Sequence, residues 1–206
     1  MPEKTLASDR PLLRPPGPTL FDAPMGSVDS LDEGVIGVVG MPTDWTHSSR
    51  IGAREGPAAL REATTEISRI VMDPLGDTVF DPNRRELLRR ADHERIVDCG
   101  DAPIDATSVE RTTEAIAAMT EAVRAQGAIP LALGGDHYNS FPACLGYARG
   151  LAARHPDRRF GYIQIDGHLD FADRLGAWGG HNHATNGRRN SELPNIERAN
   201  MVWIGI

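Results

Sequence analysis

Phe160-Gly-Tyr-Ile-Gln-Ile-Asp-Gly-His-Leu-Asp-Phe171 is the stretch whose chemistry decides how this chain folds. It begins as an apolar, strand-like run and ends in three residues able to ligate a metal. Asp166, His168 and Asp170 are spaced i, i+2 and i+4, so in an extended segment all three side chains leave on one face. At ~3.3 Å per residue, a straight strand would hold the outer two about 13 Å apart. No single ion spans that distance. The chain is therefore expected to curve beyond the strand tip, and Gly167 eases the bend. Two carboxylates around one imidazole suit Mn²⁺, Fe²⁺ or Zn²⁺ better than an ion that prefers thiolate. The plainer alternative is an αβ loop whose acidic residues cap the next helix.

A second stretch decides between the two. Ile129-Pro-Leu-Ala-Leu-Gly-Gly-Asp-His137 is again a short apolar run that ends abruptly in glycines, an Asp and a His. Two strands that deliver oxygen and nitrogen ligands at their carboxyl ends point to the mouth of an open α/β sheet. The expectation is a metal-dependent enzyme.

The remainder of the chain fits such a sheet. Gly34-Val-Ile-Gly-Val-Val-Gly40, Arg95-Ile-Val-Asp-Cys-Gly-Asp101 and Met201-Val-Trp-Ile-Gly-Ile206 all have the character of buried strands. Between them, Pro57 suits the first turn of a helix running from Ala58 to about Ile70, with Leu60, Ile67 and Ile70 on its inner side. Ser108 to Gln126 is amphipathic through Val109, Ile116, Met119 and Val123, and Gly127 stops it. A further helix is expected from about Asn139 to Arg154, a short one around Glu86 to Ala91, and another within Arg188 to Arg198, interrupted by Pro194. The alternation predicts a three-layer αβα sandwich with a mainly parallel central sheet. Residues 1–32, rich in proline, predict an extended, loosely attached amino-terminal arm, and 33–206 the α/β domain. Asp101 either approaches the site or serves a turn. Trp45 and His47 either line a pocket or pack on their own loop.

Composition narrows the function. The 206 residues are 40% hydrophobic and 25% charged with a formal net charge of −7, enough for one domain with a real core. An acidic chain with few aromatics is a poor fit to nucleic acid, and Arg158-Arg159 and Arg188-Arg189 are only pairs. No apolar run approaches the ~20 residues needed to span a membrane, and the first residues lack a signal-like apolar region. The two cysteines, Cys99 and Cys144, form no disulfide pattern, so buried thiols in a reducing cytoplasm are expected.

Gly134-Gly-Asp-His137 together with Asp166-Gly-His-Leu-Asp170 resembles the ureohydrolases, the family of arginase and agmatinase. Pro42-Thr-Asp44 with Gly52-Ala-Arg-Glu-Gly-Pro57, Asp98-Cys-Gly-Asp101, His183-Ala-Thr185 and Met201-Val-Trp-Ile-Gly-Ile206 are similar to that family's other segments, in its order. The resemblance covers roughly residues 34 to 206. It implies an arginase-like fold and two Mn²⁺ ions bridged by a hydroxide that attacks a guanidinium carbon and releases urea. It also implies that His137 and Asp170 hold one ion, His168 the other, that Asp166 bridges them, and that His183 shuttles protons. The expected function is an agmatinase-like amidinohydrolase of a small guanidino substrate. The alternatives are a non-catalytic or partner-completed subunit, or a hydrolase of a related formimino C–N bond.

Three departures from the family stand out. Tyr138 replaces a Ser and Gly167 an Ala, both at positions expected to line the metal pocket. The family's later Asp-x-Asp-x-x-Asp-Pro segment, which supplies two more carboxylates, has no match in the 206 residues. The expectation is therefore a domain truncated on its carboxy-terminal side, completed by further sequence, a second chain or homo-oligomerisation. Met201 to Ile206 would then want cover on both faces.

Overall fold

A computed structural model describes residues 17–46, 50–68, 78–81, 83–89 and 95–206. Its centre is β1 (Ile36–Met41), a β-branched run with five consecutive buried positions. Burial on both faces is the mark of a strand inside a parallel sheet. β1 pairs in parallel with β4 (Ile96–Asp101) on one edge and β5 (Ile129–Gly134) on the other, with Val38 opposite both Asp98 and Leu131. β6 (Phe160–Ile165) pairs in parallel with β7 (Ile196–Ile204), Ile165 opposite Ile204. Among the described residues β5 and β6 share no ladder, so the parallel strands stand as a set of three and a set of two.

Helices α2 (Val109–Ala125) and α3 (Ser140–Arg154) lie together over one side of these strands. Their approach is close: a Cβ on Gly146 would sit 2.2 Å from the Ala117 carbonyl oxygen, which excludes any larger residue there. Beneath α2, Val39, Met41, Cys99, Ile116, Met119 and Val123 form the main core. Beneath α3, Ala148, Leu193 and Ile196 pack with Phe160, Tyr162 and Met201. The other side is covered by α1 (Gly56–Ile67) and the turn at Leu20–Asp22, where Leu20, Val38 and Leu133 meet. The expected α/β architecture of parallel strands and flanking helices is the one observed.

That cover is incomplete. Ile163, Ile165, Val202 and Ile204 are 68%, 81%, 47% and 51% exposed, so one face of the β6–β7 ladder is an uncovered aliphatic surface among the described residues. Ile129 on β5 is exposed as well. Of the two faces of the carboxy-terminal strand expected to need cover, one has it, with Ile196 and Met201 packed beneath α3.

Four local expectations are corrected. Leu60 and Ile67 on α1 face solvent, while Pro57, Arg61 and Thr65 are buried; Ile70 lies outside the described residues. The inner face of α1 is decided by charge instead of by an aliphatic stripe. Arg61, 1% exposed, donates to both oxygens of buried Asp98 at 2.7 and 2.8 Å and reaches Asp101 at 2.5 Å. The short helix expected around Glu86 to Ala91 is a strand. β3 (Glu86–Arg89) pairs antiparallel with β2 (Thr78–Asp81) across a turn in which Arg85 has φ 56°. Pairing with the strand Thr78–Asp81 makes an extended conformation preferable for this segment.

The helix expected within 188–198 is α4 (Asn186–Ser191), and β7 already begins at Ile196, before Met201. Pro194 ends the helical option, since its ring restricts the residue before it. The amino-terminal region is no loose arm over residues 19–31. Leu20, Val28 and Leu31 are buried, and the Leu20 N–H donates to the Asp98 carboxylate at 3.0 Å. Residues 1–16 of the expected arm lie outside the described residues. No helix among those described is long and apolar enough to cross a membrane.

Candidate metal centre

The carboxyl ends of β5 and β6 deliver the chemistry. Beyond β5, the chain passes so close to the segment after β1 that a Cβ on Gly135 would lie 2.3 Å from the Thr43 carbonyl oxygen. Asp136 then turns inward, 1% exposed, and accepts from the Thr46 N–H and hydroxyl, each at 2.7 Å, and from the Tyr138 N–H at 3.1 Å. With Asp136 committed to the scaffold, His137 points outward at the sheet mouth. Beyond β6, Asp166 follows directly, and Asp170 adopts φ 45°, a left-handed conformation that Asp tolerates better than most residues. This is the curvature the i, i+2, i+4 spacing demanded.

The bend brings three residues together. His137 Nε2 lies 2.7 Å from Asp170 Oδ2 and 2.9 Å from Asp166 Oδ2. One ligand atom from each of His137, Asp166 and Asp170 lies within 4.8 Å of the others. His168 stands apart from this cluster: its side chain is 85% exposed, and Nδ1 is 3.6 Å from Asp166 Oδ1. Its backbone N–H donates to the same oxygen at 2.9 Å. Burial raises the Asp166 carboxyl, but this N–H, the Gln164 amide and the neighbouring imidazoles outweigh it and hold the group below its ordinary range. An imidazole nitrogen converging with two carboxylates fits a hard or borderline divalent ion such as Mn²⁺.

Sequence reasoning missed Gln164. It lies on β6, is 5% exposed, and its amide nitrogen donates to Asp166 Oδ2 at 3.2 Å and Asp170 Oδ2 at 3.1 Å. A polar residue within an apolar strand two positions before an acidic motif was the available signal.

The loop that carries His181 and His183 is stapled, with the helix after it, to both ligand segments. The Asn186 amide donates to the His137 carbonyl at 3.2 Å and to the Ser140 hydroxyl at 2.6 Å. The Arg188 N–H reaches the Asp170 carbonyl at 3.3 Å, and the Ala172 N–H reaches that of Ala184 at 3.1 Å. His183 docks on the opposite loop: its N–H donates to Thr46 Oγ1 at 3.0 Å, and its ring Nδ1 abuts the Thr46 carbonyl. A carbonyl only accepts, so Nδ1 carries a proton, which in the neutral ring leaves the lone pair on Nε2. The Trp178 ring meets the His183 ring edge-on at 5.8 Å. His181 instead stacks on Phe141 and packs near Tyr138. His47 lies outside the described residues, and Trp45 is half-buried on its own loop.

Two residues expected at the metal pocket behave otherwise. Tyr138 is 1% exposed and turns into the core, where its hydroxyl meets the Thr113 hydroxyl of α2 at 2.8 Å. Burial pushes its phenol up to about 12. Tyr138 therefore anchors the ligand turn to α2 instead of forming a pocket wall. At Gly167 an added Cβ would meet nothing within 4 Å, so an Ala there would leave the surrounding geometry as it is. Asp101 serves the Arg61 ion pair. A cleft of about 500 Å³ lined by Leu169, Phe171, Arg188, Glu192 and Trp203 flanks the ligand loop, but His137, Asp166 and Asp170 do not line it.

Comparison with known proteins identifies the family. The profile of the arginase family matches residues 35–206. An agmatinase from Bacillus anthracis is 30% identical over 144 residues, covering 70% of this chain and 43% of the relative. A guanidinopropionase from Pseudomonas aeruginosa is 27% identical over 171 residues, covering 83% of this chain and 48% of the relative. Among solved structures, a formiminoglutamase variant with Mn²⁺ from Trypanosoma cruzi superimposes with a TM-score of 0.62 at 26% identity, over 82% of this chain and 51% of that one. The proclavaminate amidino hydrolase of Streptomyces clavuligerus shares the fold, with a TM-score of 0.70 over 93% of this chain and 57% of that one. The chain thus spans about half the length of the curated relatives it matches. With its sequence segments in that family's order and its strands delivering His137, Asp166 and Asp170 to one point, this chain belongs to the arginase family.

Proposed function

We propose that this chain carries part of the metal site of an amidinohydrolase, which cleaves a small guanidino compound to an amine and urea. The observation that carries the proposal is the convergence of His137, Asp166 and Asp170 within 4.8 Å at the sheet mouth. His137, Asp166 and Asp170 would hold one Mn²⁺, and His168, exposed beside Asp166, would be the first ligand of a second. Such ions supply charge stabilisation and a nucleophile at neutral pH, which a resonance-stabilised guanidinium requires. To ligate, His137 Nε2 must turn its lone pair to the ion, with the ring proton on Nδ1.

His183 supplies the proton transfer. Thr46 holds its Nδ1–H, so Nε2 is the atom that accepts and returns a proton during C–N cleavage. The unpaired thiols of Cys99 and Cys144 suit a reducing cytoplasm.

The uncovered aliphatic face of β6–β7 favours a second, narrower form of the proposal. Here the ligand set and the fold are completed by a further segment, a second chain or another copy. A formimino substrate is the other chemical option, in keeping with the named Trypanosoma cruzi neighbour.

The test is release of urea from guanidino compounds, or of formamide from formimino compounds, with Mn²⁺ present. It is run on this chain alone and with any polypeptide encoded directly downstream. Urea release that falls about 10²-fold or more in His183→Asn at unchanged metal content supports the proposal. Product only from formimino compounds transfers the assignment to that substrate. No product under either condition, with Mn²⁺ bound, leaves a non-catalytic subunit.

A further inference from the structure

Gln164 faces inward from β6, one residue before the strand ends, and is 5% exposed. A buried amide must find partners for both its ends, since an unmet donor or acceptor costs about 1–3 kcal/mol. Its nitrogen donates to Asp170 Oδ2 at 3.1 Å and Asp166 Oδ2 at 3.2 Å, with the His168 carbonyl at 3.4 Å as a third, longer acceptor. Its oxygen accepts from the Tyr162 hydroxyl at 2.8 Å. The orientation is unambiguous on electrostatic grounds. Turned over, the amide would set its carbonyl against two carboxylates and leave both without that donor.

The consequence concerns the pair of acids. Asp166 Oδ2 and Asp170 Oδ2 both lie within 3 Å of one imidazole nitrogen, so their negative charges are crowded into one small volume. A neutral donor that bonds to both at once offsets the repulsion and fixes where the two oxygens point, without competing for the cation. Tyr162, partly buried beneath α3, keeps the donor turned the right way.

Building on the metal site proposed above, we infer that Gln164, held by Tyr162, is a positioning residue that presents Asp166 and Asp170 together to one divalent ion. Partners of this kind, one bond removed from the metal, set affinity as well as geometry.

Calorimetric titration of the chain with Mn²⁺ tests this, alongside the visible absorption of the Co²⁺-loaded protein and urea unfolding without metal. Gln164→Met keeps the length and removes both amide ends. It is expected to weaken Mn²⁺ binding by about 10- to 100-fold. The Co²⁺ spectrum should shift, while metal-free stability stays within about 1 kcal/mol of the wild type. Tyr162→Phe leaves the amide free to turn over and should weaken binding in the same direction by less. Equal Mn²⁺ affinity and an unaltered Co²⁺ spectrum in Gln164→Met would overturn the inference. Should that variant fail to fold, unchanged affinity in Tyr162→Phe would overturn it instead. A wild-type chain that binds no Mn²⁺ would remove the metal site itself, a separate and visible failure.

Discussion

Asp136→Asn removes one charge and moves no atom by much, yet it should loosen the loop that holds His183. Asp136 accepts three hydrogen bonds in a site 1% exposed, two of them at 2.7 Å from Thr46. Bonds to an ionised acceptor are worth about 1.5–3 kcal/mol each, and neutral ones about 1. An Asn can offer its carbonyl to one Thr46 donor, but its NH₂ then faces another. One charged bond is lost outright and the others are weakened, a net cost of about 3 kcal/mol. With a urea dependence of about 2 kcal/mol/M, the unfolding midpoint should fall by about 1.5 M. Hydrogen exchange provides the local readout. The His183 N–H is bonded to the same Thr46 hydroxyl that Asp136 holds, so its protection should drop along with that of the Thr46 amide. A stability loss under about 0.5 kcal/mol would refute the reasoning. So would a His183 amide that exchanges as in the wild type, because the link from Asp136 to His183 would then carry no energy.

The buried ion pair under α1 yields the next expectations. Arg61→Met leaves Asp98 buried and uncompensated and should cost about 3–5 kcal/mol, whereas adding Asp98→Leu should recover much of that loss, as a double-mutant cycle in urea would show. Acid unfolding reports the same pair. Burial raises the Asp98 carboxyl, but Arg61 and the Leu20 and Gly100 N–H groups outweigh it and hold its pKa below the ordinary value. A carboxyl depressed in the folded state contributes stability that is complete above the unfolded pKa of about 3.9 and disappears as pH falls through the folded value. The loss in urea-monitored stability below about pH 4 should therefore be shallower in Asp98→Asn than in the wild type.

Much of this was legible in the sequence because the strands are short, apolar and end in abrupt glycines. β1, β4, β5 and β6 each follow from such a run, and α2 from helical periodicity. The bend that gathers Asp166 and Asp170 was legible as well, from a spacing that no straight strand could reconcile with one ion. What escaped has physical causes. The inner face of α1 depends on Arg61 finding Asp98, a pairing 37 residues away that no local pattern records. The β3 strand depends on a partner eight residues earlier, and short apolar runs carry no period of their own. Gln164 went unnoticed because its role exists only once Tyr162, Asp166 and Asp170 converge. Tyr138 was expected at the pocket from family position, but a side chain that long reaches past the ligand turn to Thr113.

The central claim is that His137, Asp166 and Asp170 form a metal half-site within this chain. Titration with Mn²⁺ under metal-free buffer conditions, read as bound ions per chain, tests it most directly. One tightly bound Mn²⁺ is predicted, lost in both His137→Asn and Asp170→Asn. A chain that binds no Mn²⁺, or whose binding survives both substitutions, would contradict the claim.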